Sequence, residues 1–207
     1  MDGGSNFRGV INEYLKIFRS DVLPIIRKID DETRKFMIFI GSLNKFLEES
    51  GIGKIIVVGG FAAELYTGRG YRTADVDIIV EGLNADKVVT EILVKIGFTR
   101  EARVYLKEEG ELIEKAIDIV SVKYDKPMQP LKWNLKVKGY YFYVIPPEEI
   151  IISSLASAKY WNVGIDYERA AMIYYAHKER LNTSYLMKRA EEEKVMDLLD
   201  KIMKLAE

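Results

Sequence analysis

The chain has 207 residues, 48% of them hydrophobic and 30% charged, with 31 lysines and arginines against 32 aspartates and glutamates. Such a balance suits a globular chain with a core of its own, and a formal net charge of −1 exerts no general pull towards nucleic acid or anionic lipid. There is no cysteine and one histidine, His177, so disulfide and thiolate chemistry is excluded and chemistry falls to carboxylates, amines, hydroxyls and backbone.

In chain order, MDGGSNFRGVINEY lacks a basic region followed by an apolar core and does not read as a secretory signal. No apolar run approaches the ~20 residues of a membrane span, so no membrane partner is expected and the chain is expected to be cytoplasmic. The cysteine-free composition, rich in Lys, Glu, Ile and Tyr, points to a thermophilic source. Val10, Ile11, Tyr14, Leu15 and Phe18 recur at helical spacing and predict a helix over 6–18. A second helix is expected over 31–49, with Asp31 as N-cap and Gly51 as its stop. The β-branched run 54–58 then reads as a buried strand entering the turn Gly59-Gly60, with a short helix over 61–67.

Residues 75–80 predict the next strand and 83–96 a helix behind it. Segments 98–107 and 112–122 read as a pair of strands around a turn at 108–111, and the aromatic run 140–145 as a further strand ended by Pro146-Pro147. From there the pattern is helical, with a last helix from about Thr183. The expected organisation is an N-terminal helical region over 1–50, an α/β core over 51–145 and a helical region over 146–207.

Three features carry chemistry. Two glycines at the end of a strand, Gly59 and Gly60, read first as a tight strand-to-helix turn, and they also let backbone approach a phosphate at the following helix turn. Asp75 and Asp77, two residues apart on a strand, point to one face while Val76 and Ile78 point to the other. Asp118 is a lone carboxylate within the apolar run AIDIVSV and needs a basic partner or a metal. If it lies beside Asp75 and Asp77, each pair of charges at ~5 Å repels by roughly 3 kcal/mol at an effective dielectric of ~20. An oxygen-only ligand set of this kind favours Mg²⁺ or Mn²⁺ over zinc.

Together, a glycine pair after one strand, an Asp-x-Asp on the next and a lone Asp on a later one resemble the nucleotidyltransferase superfamily typified by DNA polymerase β. The stretch VVGGFAAELYTGRGYRTADVDIIV looks closest to the branch of minimal nucleotidyltransferases and the nucleotidyltransferase toxins of abortive-infection systems. The resemblance implies an α+β fold with a mixed sheet, flanking helices and a helical C-terminal region. It also implies metal-dependent transfer of an NMP from an NTP onto a hydroxyl of RNA, protein or a small molecule. Carried over, Gly59 and Gly60 hold the β- and γ-phosphates, and Asp75, Asp77 and Asp118 are catalytic and bind the metal. Arg72 offers a guanidinium fork to two phosphate oxygens, and Thr73 either caps its loop or touches phosphate.

Pro147 and Glu148 also match the relatives' pattern, but Ser154 stands where their lysine is expected and Ile165 precedes Asp166 instead of lysine. Lys159 is the substitute candidate for binding the triphosphate, or else a surface lysine. The same departures leave open a non-catalytic nucleotide-binding relative, or a toxin–antitoxin component with a small helical partner protein. The aromatic run 140–143 and the lysines Lys132, Lys136 and Lys138 near Trp133 offer a stacking face and an acceptor-binding loop, or ordinary core and surface.

Overall fold

The computed structural model of the chain describes residues 4–101, 104–107 and 115–205, so the predicted turn at 108–111 and the start of the strand predicted over 112–122 lie outside the described residues. Contacts divide the chain into two compact units: Met1–Val57 with Ala74–Asp125 and Leu131–Val144, and Val58–Thr73 with Lys126–Pro130 and Ile145–Glu207.

In the first unit, helix α1 (Gly4–Ile17) runs on through a π-helical turn (Phe18–Val22) into α2 (Leu23–Ile26), further than the periodicity predicted. Pro24 explains the wide turn. It has no N–H to return to residue 20 and its ring crowds that carbonyl, so the ladder loosens just ahead of it. Helix α3 (Glu32–Glu49) begins as expected at Asp31, whose carboxylate accepts a hydrogen bond from the Arg34 N–H at 2.8 Å.

Strand β1 (Lys54–Val57) leads to α4 (Gly59–Tyr66), which belongs to the second unit. The first unit resumes with β2 (Asp75–Glu81), α5 (Ala85–Lys95), β3 (Phe98–Glu101), β4 (Val104–Lys107), β5 (Ala116–Ser121), β6 (Leu131–Asn134) and β7 (Tyr141–Val144). One seven-stranded sheet results, in the order β3-β4-β5-β2-β1-β7-β6. It is mixed: β2 with β5 and β1 with β7 run parallel, and the other pairs antiparallel. Two expectations are corrected. The strand predicted over 98–107 is a hairpin of two strands, and part of the lysine-rich stretch read as a loop is edge strand β6.

Register assigns the faces. Val76 and Ile78 on β2, Val57 on β1, Val144 on β7 and Ile117 on β5 share one face and are all fully buried. Each such side chain contributes about 1.5–3 kcal/mol by leaving water. Helix α5 packs on that face, where Thr90 Oγ1 and the Tyr105 hydroxyl lie 2.7 Å apart. Helix α3 is tied to the sheet by buried Asn44, whose Oδ1 accepts from Ile55 N at 2.7 Å and whose Nδ2 donates to Tyr141 O at 3.0 Å.

The second unit is helical: α4, α6 (Pro147–Trp161), α7 (Gly164–His177), α8 (Thr183–Glu192) and α9 (Met196–Leu205). The single last helix predicted from Thr183 is broken. Lys194 adopts a left-handed conformation at φ 57°, and Val195 N returns to Ala190 O at 2.8 Å, closing α8. His177 is structural, edge-on to the Tyr66 ring with Nε2 2.8 Å from Tyr66 O. Among the described residues no helix is long and apolar enough to cross a membrane.

Candidate functional site

The carboxylates are set by the register of the central strands. Along β2, Asp75 is exposed, Val76 buried, Asp77 half-buried and Ile78 buried, the alternation of a strand with one face in the core. Strand β5 lies parallel beside it, pairing Asp75 with Ala116, Val76 with Ile117 and Asp77 with Asp118. Asp75, Asp77 and Asp118 therefore share the face opposite Val76 and Ile117, and Asp77 and Asp118 are direct neighbours across strands ~4.8 Å apart. Immediately afterwards the register shifts between Ile78 and Ile79, so that Ile79 pairs with Ser121 and exposed Val120 is passed over.

Asp118 is buried, with β4 on its other side. All three carboxylates engage neighbouring groups, and the Asp118 Oδ1 atom is buried outside any hydrogen bond. Their oxygen chemistry suits a hard divalent cation. The side chains are not drawn to one point, however: among the described residues no three acidic or imidazole groups form a cluster able to hold a metal ion. The backbone register supplies the donors on one face, and rotation of the side chains would have to complete a metal site.

The glycine turn is built within the second unit. Val58 is extended, Gly59 has φ +59°, and both glycines form the first turn of α4 rather than a loop ahead of it, which moves the predicted helix start back from residue 61. A Cβ on Gly60 would lie 3.1 Å from Thr73 Oγ1 and 3.2 Å from Thr73 Cβ, so the glycine admits the returning loop. That loop is tethered at its end, where Thr73 N donates to Glu64 Oε2 at 3.1 Å. Glu64 is buried and went unremarked in the sequence, although a lone carboxylate within the apolar helix FAAELY was the available signal.

Arg72 is exposed beside Thr73. Its neighbour Tyr71 lies under the Arg169 guanidinium, 4.8 Å from the ring centroid, and Arg169 pairs with buried Asp166 at 2.8 Å. Lys159 is engaged elsewhere in that unit, donating to Asp197 Oδ1 at 2.6 Å and to Lys194 O at 2.7 Å, which ties α6 to α9. Ser154 is buried on α6, and Glu148 accepts from Asn182 N at 2.9 Å. The structure thus sets the three aspartates on one sheet face in one unit and, in the other, brings Thr73 against Gly60 at the start of α4, with Arg72 exposed beside Thr73.

The chain is similar in structure to an antigenic nucleotidyltransferase-like protein from Paracoccidioides brasiliensis, with a TM-score of 0.53 and 18% identity over 84% of this chain and 93% of that one. A weaker likeness, at TM-score 0.49 and 14% identity, covers 78% of this chain and 97% of ANT(2'')-Ia in complex with adenylyl-2''-tobramycin. No protein-family model matches the chain, and no curated protein matches it.

Proposed function

We propose, with the nucleotidyltransferase fold as premise, that this chain transfers an NMP from an NTP to an acceptor hydroxyl. The observation that carries the reading is the pairing of Asp77 with Asp118 in register, with Asp75 two residues ahead on the same face. In the reaction, the acceptor oxygen bonds to the α-phosphorus, the bond to the bridging oxygen breaks and pyrophosphate leaves. Asp75, Asp77 and Asp118 would hold Mg²⁺ or Mn²⁺, which when bound neutralises charge on the phosphoryl oxygens. Asp118 takes the proton from the acceptor hydroxyl.

Gly59 and Gly60, at the start of α4, present backbone N–H groups to the β- and γ-phosphates. Arg72 grips phosphate oxygens through its fork. Thr73 holds the loop end against Gly60. Lys159 reaches a triphosphate only by leaving Asp197.

The test is label transfer. Purified protein with Mg²⁺ or Mn²⁺ and each α-³²P-labelled NTP is incubated in extract of the native host, beside Asp77→Asn. Label appearing with wild type alone supports the assignment, and its sensitivity to RNase or protease identifies the acceptor. Equal labelling by the variant overturns it. Ser154, buried where the resembling proteins have lysine, favours a second reading: a nucleotide-binding relative without transfer, or a toxin–antitoxin component. Nucleotide binding with no label in the same extract selects that alternative.

A further inference from the structure

Three concavities of the protein differ in how they treat charge. In the second unit, a cavity of about 220 Å³ has Arg189 in its wall, and that guanidinium is answered by Glu192 at 2.6 Å and Glu193 at 2.8 Å. In the first unit, the hollow at Lys54 contains its own partner, Glu81, at 3.1 Å. The third, also in the first unit, is a hollow of about 460 Å³ lined by Asn12, Leu15, Lys16, Arg19 and Lys95. Three of its five lining residues are cations and none is acidic. Among the described residues, the side chains of Lys16, Arg19 and Lys95 make no ion pair or hydrogen bond.

The cations lie on an ordered stripe. Arg8, Asn12 and Lys16 follow at four-residue steps along α1, and Arg19 falls on the next turn, so all four occupy one side of the helix. All four are exposed, as is Lys95 at the end of α5. From Arg8 to Arg19 the stripe is roughly 16 Å long at the helical rise of ~1.5 Å per residue. A single phosphate group or triphosphate would occupy only part of it. A polynucleotide strand, with one phosphate every ~3.4 Å along its axis, would lay about five phosphates against it. Glu13 points to another side of α1, and Glu91, one turn before Lys95 on α5, is not among the residues that line the hollow.

We propose that this hollow and its stripe bind the phosphate backbone of a polynucleotide strand, with Arg8, Lys16, Arg19 and Lys95 as the phosphate contacts and Asn12 as a hydrogen-bond donor between them. Recognition is by charge and spacing, without base readout. The overall charge of −1 conceals this local excess. The site goes beyond the transfer reading and does not depend on it, because binding needs neither nucleotide nor metal.

The experiment is fluorescence anisotropy of labelled single-stranded RNA and DNA oligonucleotides with the full chain in EDTA, over KCl from about 50 to 200 mM. Three proteins are compared: wild type, Lys16→Gln/Arg19→Gln/Lys95→Gln, and a control, Lys123→Gln/Lys201→Gln/Lys204→Gln, that removes the same charge from exposed positions outside the hollow and its stripe. Wild type and control should bind with the same steep salt dependence. The first triple variant should lose at least tenfold in affinity, and its log K against log[salt] slope should be shallower by about 2, near 0.7 per lost contact. Asp77→Asn should bind as wild type does, which separates this site from the transfer chemistry. No binding by wild type, equal losses in the two triple variants, or equal displacement by polyglutamate would each overturn the proposal, the last in favour of an acidic protein surface.

Discussion

Asp77 on β2 and Asp118 on β5 stand opposite one another across two parallel strands, the only acidic pair in that register. At ~5 Å and an effective dielectric of ~20 their repulsion is roughly 3 kcal/mol, and the partial exposure of Asp77 reduces it. In EDTA, Asp77→Asn should therefore melt at or above the wild-type temperature. Mg²⁺ at about 100 times its Kd should raise the wild-type melting temperature by about 5–10 °C and leave the variant unmoved. Equal shifts in a thermal melt would place the metal elsewhere.

Gly60 has Thr73 in the space a Cβ would need, at 3.1 Å from Oγ1. Gly60→Ala should cost about 1–3 kcal/mol by overpacking, and Thr73→Gly in the same chain should recover most of it. Urea denaturation of the four proteins of the cycle measures the coupling. Additive costs would mean that Thr73 is not what excludes a side chain at residue 60.

Buried Asn44 satisfies two backbone groups at once, Ile55 N and Tyr141 O. Asn44→Leu keeps the volume and orphans both, at about 1–3 kcal/mol each. The loss should be larger than that of Ser20→Ala, whose hydroxyl is on the surface, and chemical denaturation should register it as a lower midpoint. A loss below about 1 kcal/mol would show that other groups can take over the two bonds.

Tyr185 donates a hydrogen bond to buried Glu149, and burial together with that carboxylate pushes its ionisation up to about 12. The folded state holds the phenol proton more tightly than the unfolded one, whose phenol ionises near 10. The contribution is therefore complete below pH ~10 and is lost as pH rises towards ~12. Tyr185→Phe should be less stable than wild type at neutral pH, with the gap narrowing through that window. A gap that stays constant in denaturation series across this range would dissociate Glu149 from the shift.

Much of this architecture could be read from the chain. The Asp31 cap, the β-branched run of β1 and the two-residue alternation of β2 are local signals, and each element formed where it was expected. Edge strand β6 was missed because LKWN has the lysine and exposed leucine of a strand with one side in water rather than an apolar alternation. The break between α8 and α9 was missed because its left-handed residue is Lys194 and not a glycine. The π-helical turn depends on how Pro24 is accommodated within a continuing helix, where sequence alone predicts an end.

By itself the sequence determined that Asp75 and Asp77 share a face and that Asp118 is set in an apolar strand, because the pleat of a strand fixes which way each residue points. Tertiary structure alone decided that β5 comes back beside β2, after α5 and the β3–β4 hairpin, running parallel with Asp118 level with Asp77. That register is selected by burial of Val76 and Ile117 on the opposite face: a slip of one residue would turn Asp118 into the core and Ile117 out of it. No local pattern contains that choice, since it is made by which apolar faces can be buried together.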